Sequence, residues 1–254
     1  MLGIVLSDEI FAFALVFVRI GAALMLLPSF GEASIPPRAR LHFALAFTLI
    51  LAPLLSTSLP PLPEGPLALF VVILGEAAVG LFLGASARII MSALHVTGMI
   101  FAFQSSLAAA QMFDPNQSSQ TSVTGNFLTF VVVLVILSSD LHHLLLTGLV
   151  DSYAVFPAGG GWPAADGAEA IARLVAKTFR IGLQIAAPVL VAGFLLYLGA
   201  GLLNRLMPQM MVFFVLLPIQ ITLAFAILML SLPAIVYVFI SFFDETWMSL
   251  TTNF

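Results

Sequence analysis

The chain has 254 residues, of which 61% are hydrophobic and only 8% charged, with a mean hydropathy of +1.17. These values lie far outside those of soluble globular domains and mark an integral membrane protein. The net charge of −4 is small and dispersed, no basic run is available to track nucleic acid, and the absence of cysteine excludes disulfides, thiolate metal sites and cysteine nucleophiles.

The opening sequence MLGIVLSDEIF has no basic segment before its apolar run and no small-x-small cleavage site soon after it, so that run is expected to persist in the mature protein. Apolar runs occupy residues 10–28, 41–55, 67–103, 127–137 with an extension to 150, 171–203 and 210–243. They are rich in Leu, Ala, Phe and Val, which favours helices over barrel strands with their period of two. The predicted class is all-α: a polytopic membrane protein with short, kinked and broken helices.

Run 41–55 has 15 residues. At about 22 Å as a helix it falls short of the roughly 30 Å hydrocarbon core, so it is not expected to cross alone. Run 67–103 is too long for one crossing and carries Glu76, Arg88 and His95, which predicts two helices or one bent helix packed against protein. Pro188, Pro218 and Pro233 lie inside apolar runs, each removing one backbone hydrogen bond, and predict kinks or breaks. Residues 28–40 (PSFGEASIPPRAR) and 56–66 (STSLPPLPEGP) read as proline-rich turns, 158–167 (AGGGWPAADG) as a flexible one and 204–209 (NRLMPQ) as a tight hairpin. With no fixed repeat and no dividing linker, one domain is expected, with a seam near Gly160.

Arg19 sits at the midpoint of the first run, where a charge costs about 3 kcal/mol on insertion scales and calls for a partner in protein or water. Glu76, Gly80, Gly84 and Arg88 recur every four residues, placing two small residues between an acid and a base on one ridge. The Gly80-xxx-Gly84 step admits a neighbouring helix closely. Glu76 and Arg88 stand about 18 Å apart along a straight helix, so each needs a partner from another helix or chain.

Adjacent His142 and His143 diverge by about 100° on a helix and, with Asp140, are poorly placed for one metal ion; a polar helix terminus is the expectation. Gly159, Gly160 and Gly161 lack the Lys-Ser/Thr of a phosphate loop. Ser105, Ser106, Ser118 and Ser119 have no base arranged beside them, so no active site and no cofactor is expected.

Residues 104–126, QSSLAAAQMFDPNQSSQTSVTGN, interrupt this lipid-like chain with small and polar side chains. Such backbone cannot face hydrocarbon and must line water or protein. Met112 lies within it, as a packing residue or as part of a flexible seal.

FVRIGAALMLLPSFGEASIPPRAR at residues 17–40, the Gln104 region leading to Phe113-Asp114-Pro115, the LHHLL step at residues 141–145 and NRLMPQM at residues 204–210 together resemble the FliR family of flagellar export-gate proteins, related to the SctT family of injectisomes. The resemblance covers essentially the whole chain, in order. It implies a non-enzymatic structural and gating subunit of the flagellar type III export apparatus, in the bacterial inner membrane at the basal body. Its helical hairpins would pack into a hetero-oligomeric gate with FliP-type and FliQ-type subunits, a FlhB-type switch protein and membrane lipid, passing unfolded export substrates.

By the same resemblance, residues 1–160 form a FliP-like part and residues 161–254 a FliQ-like hairpin. A pore plug is carried over to Ser106, Leu107, Ala108, Ala109, Ala110, Gln111, Met112, Phe113, Asp114, Pro115 and Asn116. Asn204, Arg205, Pro208 and Gln209 are the hairpin turn, and Arg19, Glu76 and Arg88 the buried charges for helix or subunit contacts. Two departures stand out: Ser105-Ser106 follow Gln104 where the family often has Met-Gly, and Met211 stands where Asn is common. A secondary transporter with a midplane site on broken helices is the alternative. It predicts paired intramembrane charges in two repeats, whereas Arg19, Glu76, Arg88 and Arg180 are not symmetrically placed.

Overall fold

A computed structural model describes residues 2–32, 34–108, 122–209 and 211–252. Among them the regular structure is helical, with no strand. The α-helices are α1 (Leu2–Leu24), α2 (Pro37–Leu55), α3 (Pro66–Gln104), α4 (Val123–Ser138), α5 (Leu141–Val155), α6 (Ala164–Ile185), α7 (Ala187–Leu206) and α8 (Val212–Thr252), with a 3-10 turn at Ser56–Ser58. The all-α polytopic class therefore holds. α2, α3, α7 and α8 are long and apolar enough to cross a membrane, and α4 with α5 makes a further pair bent by 79°.

Prolines set several boundaries. Pro36 holds an extended conformation (φ −57°, ψ 138°), as a residue preceding proline prefers, and Pro37 opens α2, where its missing N–H has no helical partner to lose. The helix thus starts ahead of the apolar run and reaches 19 residues. At about 28 Å, α2 matches the bilayer core, which corrects the expectation that it is too short. Pro188 lies in the first turn of α7, and the chain breaks at Ala186, as a break was expected there.

Of the two arrangements expected for α3 the undivided one is found, a single helix of 39 residues, and α8 runs for 41 residues through Pro218 and Pro233 without breaking at either. In each case a long run of helix-forming residues outweighs the local interruption, since a proline deletes one backbone bond without ending a ladder supported on both sides. At about 60 Å each, these helices are roughly twice the hydrocarbon thickness.

The chain divides into two compact units, neither of them a continuous stretch. The first comprises residues 1–90, 135–174 and 244–254, the second residues 91–134 and 175–243. The first unit has its core in Leu15, Ile20, Leu24, Leu83, Ile90, Leu145, Leu149 and Trp247, all essentially inaccessible. Trp247 lies against Gly148 and donates its indole N–H to the Leu144 carbonyl at 3.1 Å, tying the end of α8 to α5. Gly80 and Gly84 bring α3 onto α1: a side chain at Gly80 would strike the Arg19 carbonyl, and one at Gly84 would lie 2.7 Å from the Ala23 carbonyl.

In the second unit glycines again set the spacing. Gly98 of α3 meets the backbone of Gly125 in α4, and Gly182 of α6 abuts the Ala93 carbonyl. Thr97 seals the latter contact by donating to the carbonyls of both Ala93 (2.9 Å) and Gly182 (3.0 Å).

A methyl group at Gly98 has no room, so Gly98→Ala is expected to lower stability by about 2 kcal/mol or more through forced separation of α3 and α4. Thermal unfolding of the detergent-solubilised chain measures this; an unchanged midpoint would show that the two helices do not meet there.

Candidate functional site

The first unit is organised around a buried ion pair. Arg19 lies on α1 and Glu76 on α3, brought together by the glycine-mediated approach of the two helices, and both side chains are at most 2% exposed. Arg19 Nε donates to Glu76 Oε2 at 2.7 Å and Nη2 to Oε1 at 3.1 Å, the two-pronged geometry that matches guanidinium to carboxylate. Nη2 also donates to the Phe156 carbonyl at 2.9 Å, and Nη1 makes longer contacts to Ser152. The Gly159 N–H donates to Glu76 Oε1 at 3.2 Å. The ring of Tyr153 covers the guanidinium, 3.9 Å from its centroid. One pair therefore joins α1, α3, the end of α5 and the connection into α6.

Arg19 and Glu76 were expected to need partners from other helices, and they are each other's. Arg88 differs: expected among the buried charges, it is exposed on the chain by itself. Its position, three turns beyond Glu76, lies past the reach of the Arg19 cluster.

The second unit holds both ends of the polar segment. α3 ends at Gln104, whose side-chain amide lies directly against Gly193 of α7, so that a side chain at position 193 would have to displace it. Gln104 Oε1 is buried without a hydrogen-bond partner among the described residues. Ser106 then takes a left-handed conformation (φ 58°) and its hydroxyl donates to Gln220 Oε1 of α8 at 2.8 Å. A left-handed residue after a helix is ordinarily glycine, so Ser106 occupies a position whose backbone favours one.

At the far end, Ser122 caps α4: its hydroxyl accepts from the Gly125 N–H at 3.2 Å and donates to the Gly98 carbonyl of α3 at 2.9 Å. Of the plug residues, Ser106, Leu107 and Ala108 are described. Ala109, Ala110, Gln111, Met112, Phe113, Asp114, Pro115 and Asn116 lie outside the described residues.

Asn204, Arg205, Pro208 and Gln209 are all exposed at the α7–α8 connection. The turn is narrower than expected, because Asn204 and Arg205 still belong to α7 and Pro208 and Gln209 form the bend.

Asp140, His142 and His143 come closer than a regular helix predicts, with potential ligand atoms all within 4.8 Å of one another. The reason is that Asp140 stands outside α5 in a left-handed conformation (φ 59°, ψ 11°), which turns its carboxylate toward the first helical turn. The polar-terminus reading stands, since α5 begins at Leu141 and the Asp140 and His143 side chains are 80% and 67% exposed.

Removing one member of the ion pair strands a buried charge, so Arg19→Met is expected to cost about 3–5 kcal/mol, while Arg19→Met with Glu76→Leu recovers a large share of it. Thermal midpoints of the three proteins in one detergent decide this; equal losses in the single and double variants would contradict the pairing. Ser106→Gly relieves the left-handed backbone, worth about 1 kcal/mol, but gives up the bond to Gln220. A double-mutant cycle with Gln220→Ala separates the two effects.

The family described as bacterial export proteins, family 1, matches residues 10–246. Over 237 residues the chain is 35% identical to the flagellar biosynthetic protein FliR of Caulobacter vibrioides, covering 93% of this chain and 94% of that protein. It is 33% identical to FliR of Bacillus subtilis, over 92% of this chain and 91% of that one. Over 157 residues it is 31% identical to Yop proteins translocation protein T of Yersinia pestis, covering 61% and 60% of the two chains. The matched stretch contains the Arg19–Glu76 pair, both ends of the polar segment and the α7–α8 turn. The chain belongs to the bacterial export proteins, family 1, a membrane component of export and not an enzyme.

Proposed function

We propose that this chain is the single-copy subunit that completes a flagellar type III export gate in the bacterial inner membrane, at the basal body. It packs with FliP-type and FliQ-type subunits, meets a FlhB-type switch protein and lines the passage for unfolded substrates. Residues 1–160 act as its FliP-like part and residues 161–254 as its FliQ-like hairpin. The wider cover and higher identity of the Caulobacter vibrioides and Bacillus subtilis FliR proteins, compared with translocation protein T, favour the flagellar use.

The observation that carries this reading is the bareness of α7. Phe194, Leu195, Leu198, Leu202 and Leu206 are each at least half exposed. Beside them Gly199 and Gly201 have nothing within 4 Å of where a side chain would begin. Large apolar side chains beside uncovered glycines suit a close-packed helix, because lipid gains nothing from a bare glycine whereas a neighbouring backbone does. Gly199→Leu is therefore expected to leave the isolated chain folded and to abolish co-purification with FliP-type and FliQ-type subunits. Retained assembly would count against this face as a subunit contact.

The segment from Ser106 to Asn116 is the plug in this reading. What supports it is the anchoring at both ends: Gln104 against Gly193 and Ser106 to Gln220 on one side, Ser122 to Gly98 on the other. The small Ala108, Ala109 and Ala110 permit close packing at rest, and Gln111 and Asp114 hydrate when displaced, which keeps two arrangements close in energy. Deleting residues 108–116 is expected to raise ion leakage through the assembled gate in planar bilayers. Unchanged conductance in an assembled complex would sink the plug assignment.

A further inference from the structure

The N-terminal end of α2 is electrostatically incomplete. It reads Pro37-Arg38-Ala39-Arg40-Leu41-His42, with no acid in its first turn, although the amino end of a helix carries partial positive charge. Neither arginine forms an ion pair with a described acid, Glu32 of the preceding connection included. Arg40 Nε is buried with no hydrogen-bond acceptor among the described residues. Two cations at the positive end of a dipole repel it and each other unless an anion joins them.

Beside Arg40 is a groove of about 320 Å³ lined by Leu24, Phe30, Ile35, Ala39 and Phe43 together with Arg40 itself. Its floor is apolar, and Phe30 stacks on Phe43 at 5.2 Å, with Phe47 continuing the stack at 6.0 Å. Farther along α2, Leu49, Ile50 and Leu54 are each more than 60% exposed. A helix of 19 residues with this face spans about 28 Å, so its arginine end falls at the level of the headgroups.

We propose that this groove is a binding site for one anionic phospholipid, its phosphate held by Arg40, with the exposed Arg38 adding positive charge nearby, and one acyl chain lying along the stacked Phe30 and Phe43 rings. The chemistry selects the occupant: a single negative group joined to an apolar chain fits a single cationic edge joined to an apolar trough. An acidic peptide would leave the trough uncovered, and a zwitterionic lipid such as phosphatidylcholine would bring its own ammonium to an edge that is already cationic. Basic clusters at helix ends are where anionic headgroups gain most. The site lies within the first unit and does not depend on the export reading.

The test is native mass spectrometry of the full chain released from detergent, titrated with phosphatidylglycerol or phosphatidylcholine. Wild type is expected to prefer phosphatidylglycerol, with the preference falling about fivefold in Arg40→Gln and about thirtyfold in Arg38→Gln/Arg40→Gln. Arg40→Lys keeps most of it, and Ala39→Trp, which fills the trough, weakens both lipids alike. Equal binding of the two lipids by wild type overturns the proposal. So does displacement of the lipid by millimolar inorganic phosphate, or a dimer that carries no lipid and is lost in Arg40→Gln. Far-ultraviolet circular dichroism checks each variant; if the double variant loses helix, Arg40→Lys and Ala39→Trp decide the outcome between them.

Discussion

The first unit rests on the Arg19–Glu76 pair. Two opposite charges withdrawn from water each lose several kcal/mol of hydration, and attraction between them restores it only when the geometry is good and the remaining donors are satisfied. Here both conditions are met: the carboxylate receives both prongs of the guanidinium and a backbone N–H, and the guanidinium also reaches the Phe156 carbonyl. The requirement reaches outward from the pair. Gly80 must lack a side chain for α1 to come near enough, and the α5–α6 connection must fold back far enough for Gly159 to donate. In an apolar core that grips every neighbour equally, this directional contact specifies which helices meet and in what register.

The second unit achieves specificity by a different route. Its helices approach through Gly98 against Gly125 and Gly182 against Ala93, and the freed space is closed by hydroxyls donating to carbonyls. Small residues permit contact between backbones, and Thr97 and Ser122 then distinguish the intended neighbour from any other apolar helix. Both ends of the polar segment lie at this place, so Gly98, Ser106 and Ser122 fix the points that frame it.

What is left uncovered is as informative as what is buried. α7 and much of α8 show bulky apolar side chains to their surroundings, and both α3 and α8 are about twice as long as a bilayer core is thick. A helix of that length cannot be wrapped by lipid along its whole extent. Surfaces of this kind belong to a piece of a larger helical assembly, with lipid confined to part of it, and the arginine-edged groove at the start of α2 is where a lipid contact has its own polar anchor.

Composition and the type of apolar run were enough to establish an all-α membrane protein, because the cost of exposing backbone to hydrocarbon leaves few other solutions. The order of short motifs was enough to establish the export family. The four-residue spacing of Glu76, Gly80, Gly84 and Arg88 correctly marked a close-packed ridge and ruled out one ion pair by distance alone. Helix ends were less legible: α2 was read from its apolar residues and so lost its proline-led first turn, and the long apolar run of α3 was compatible with one helix or two until its packing was known. Sequence could say that Arg19 and Glu76 each required a partner, but not that they meet, since 57 residues separate them and only the approach of α1 to α3 brings them together. Likewise it could not show that Arg88 is exposed, or that Asp140 turns toward His142 and His143 through a left-handed residue. The local and compositional constraints were written in the chain; the pairing of distant polar groups was decided by packing, because each such bond depends on where several helices end up at once.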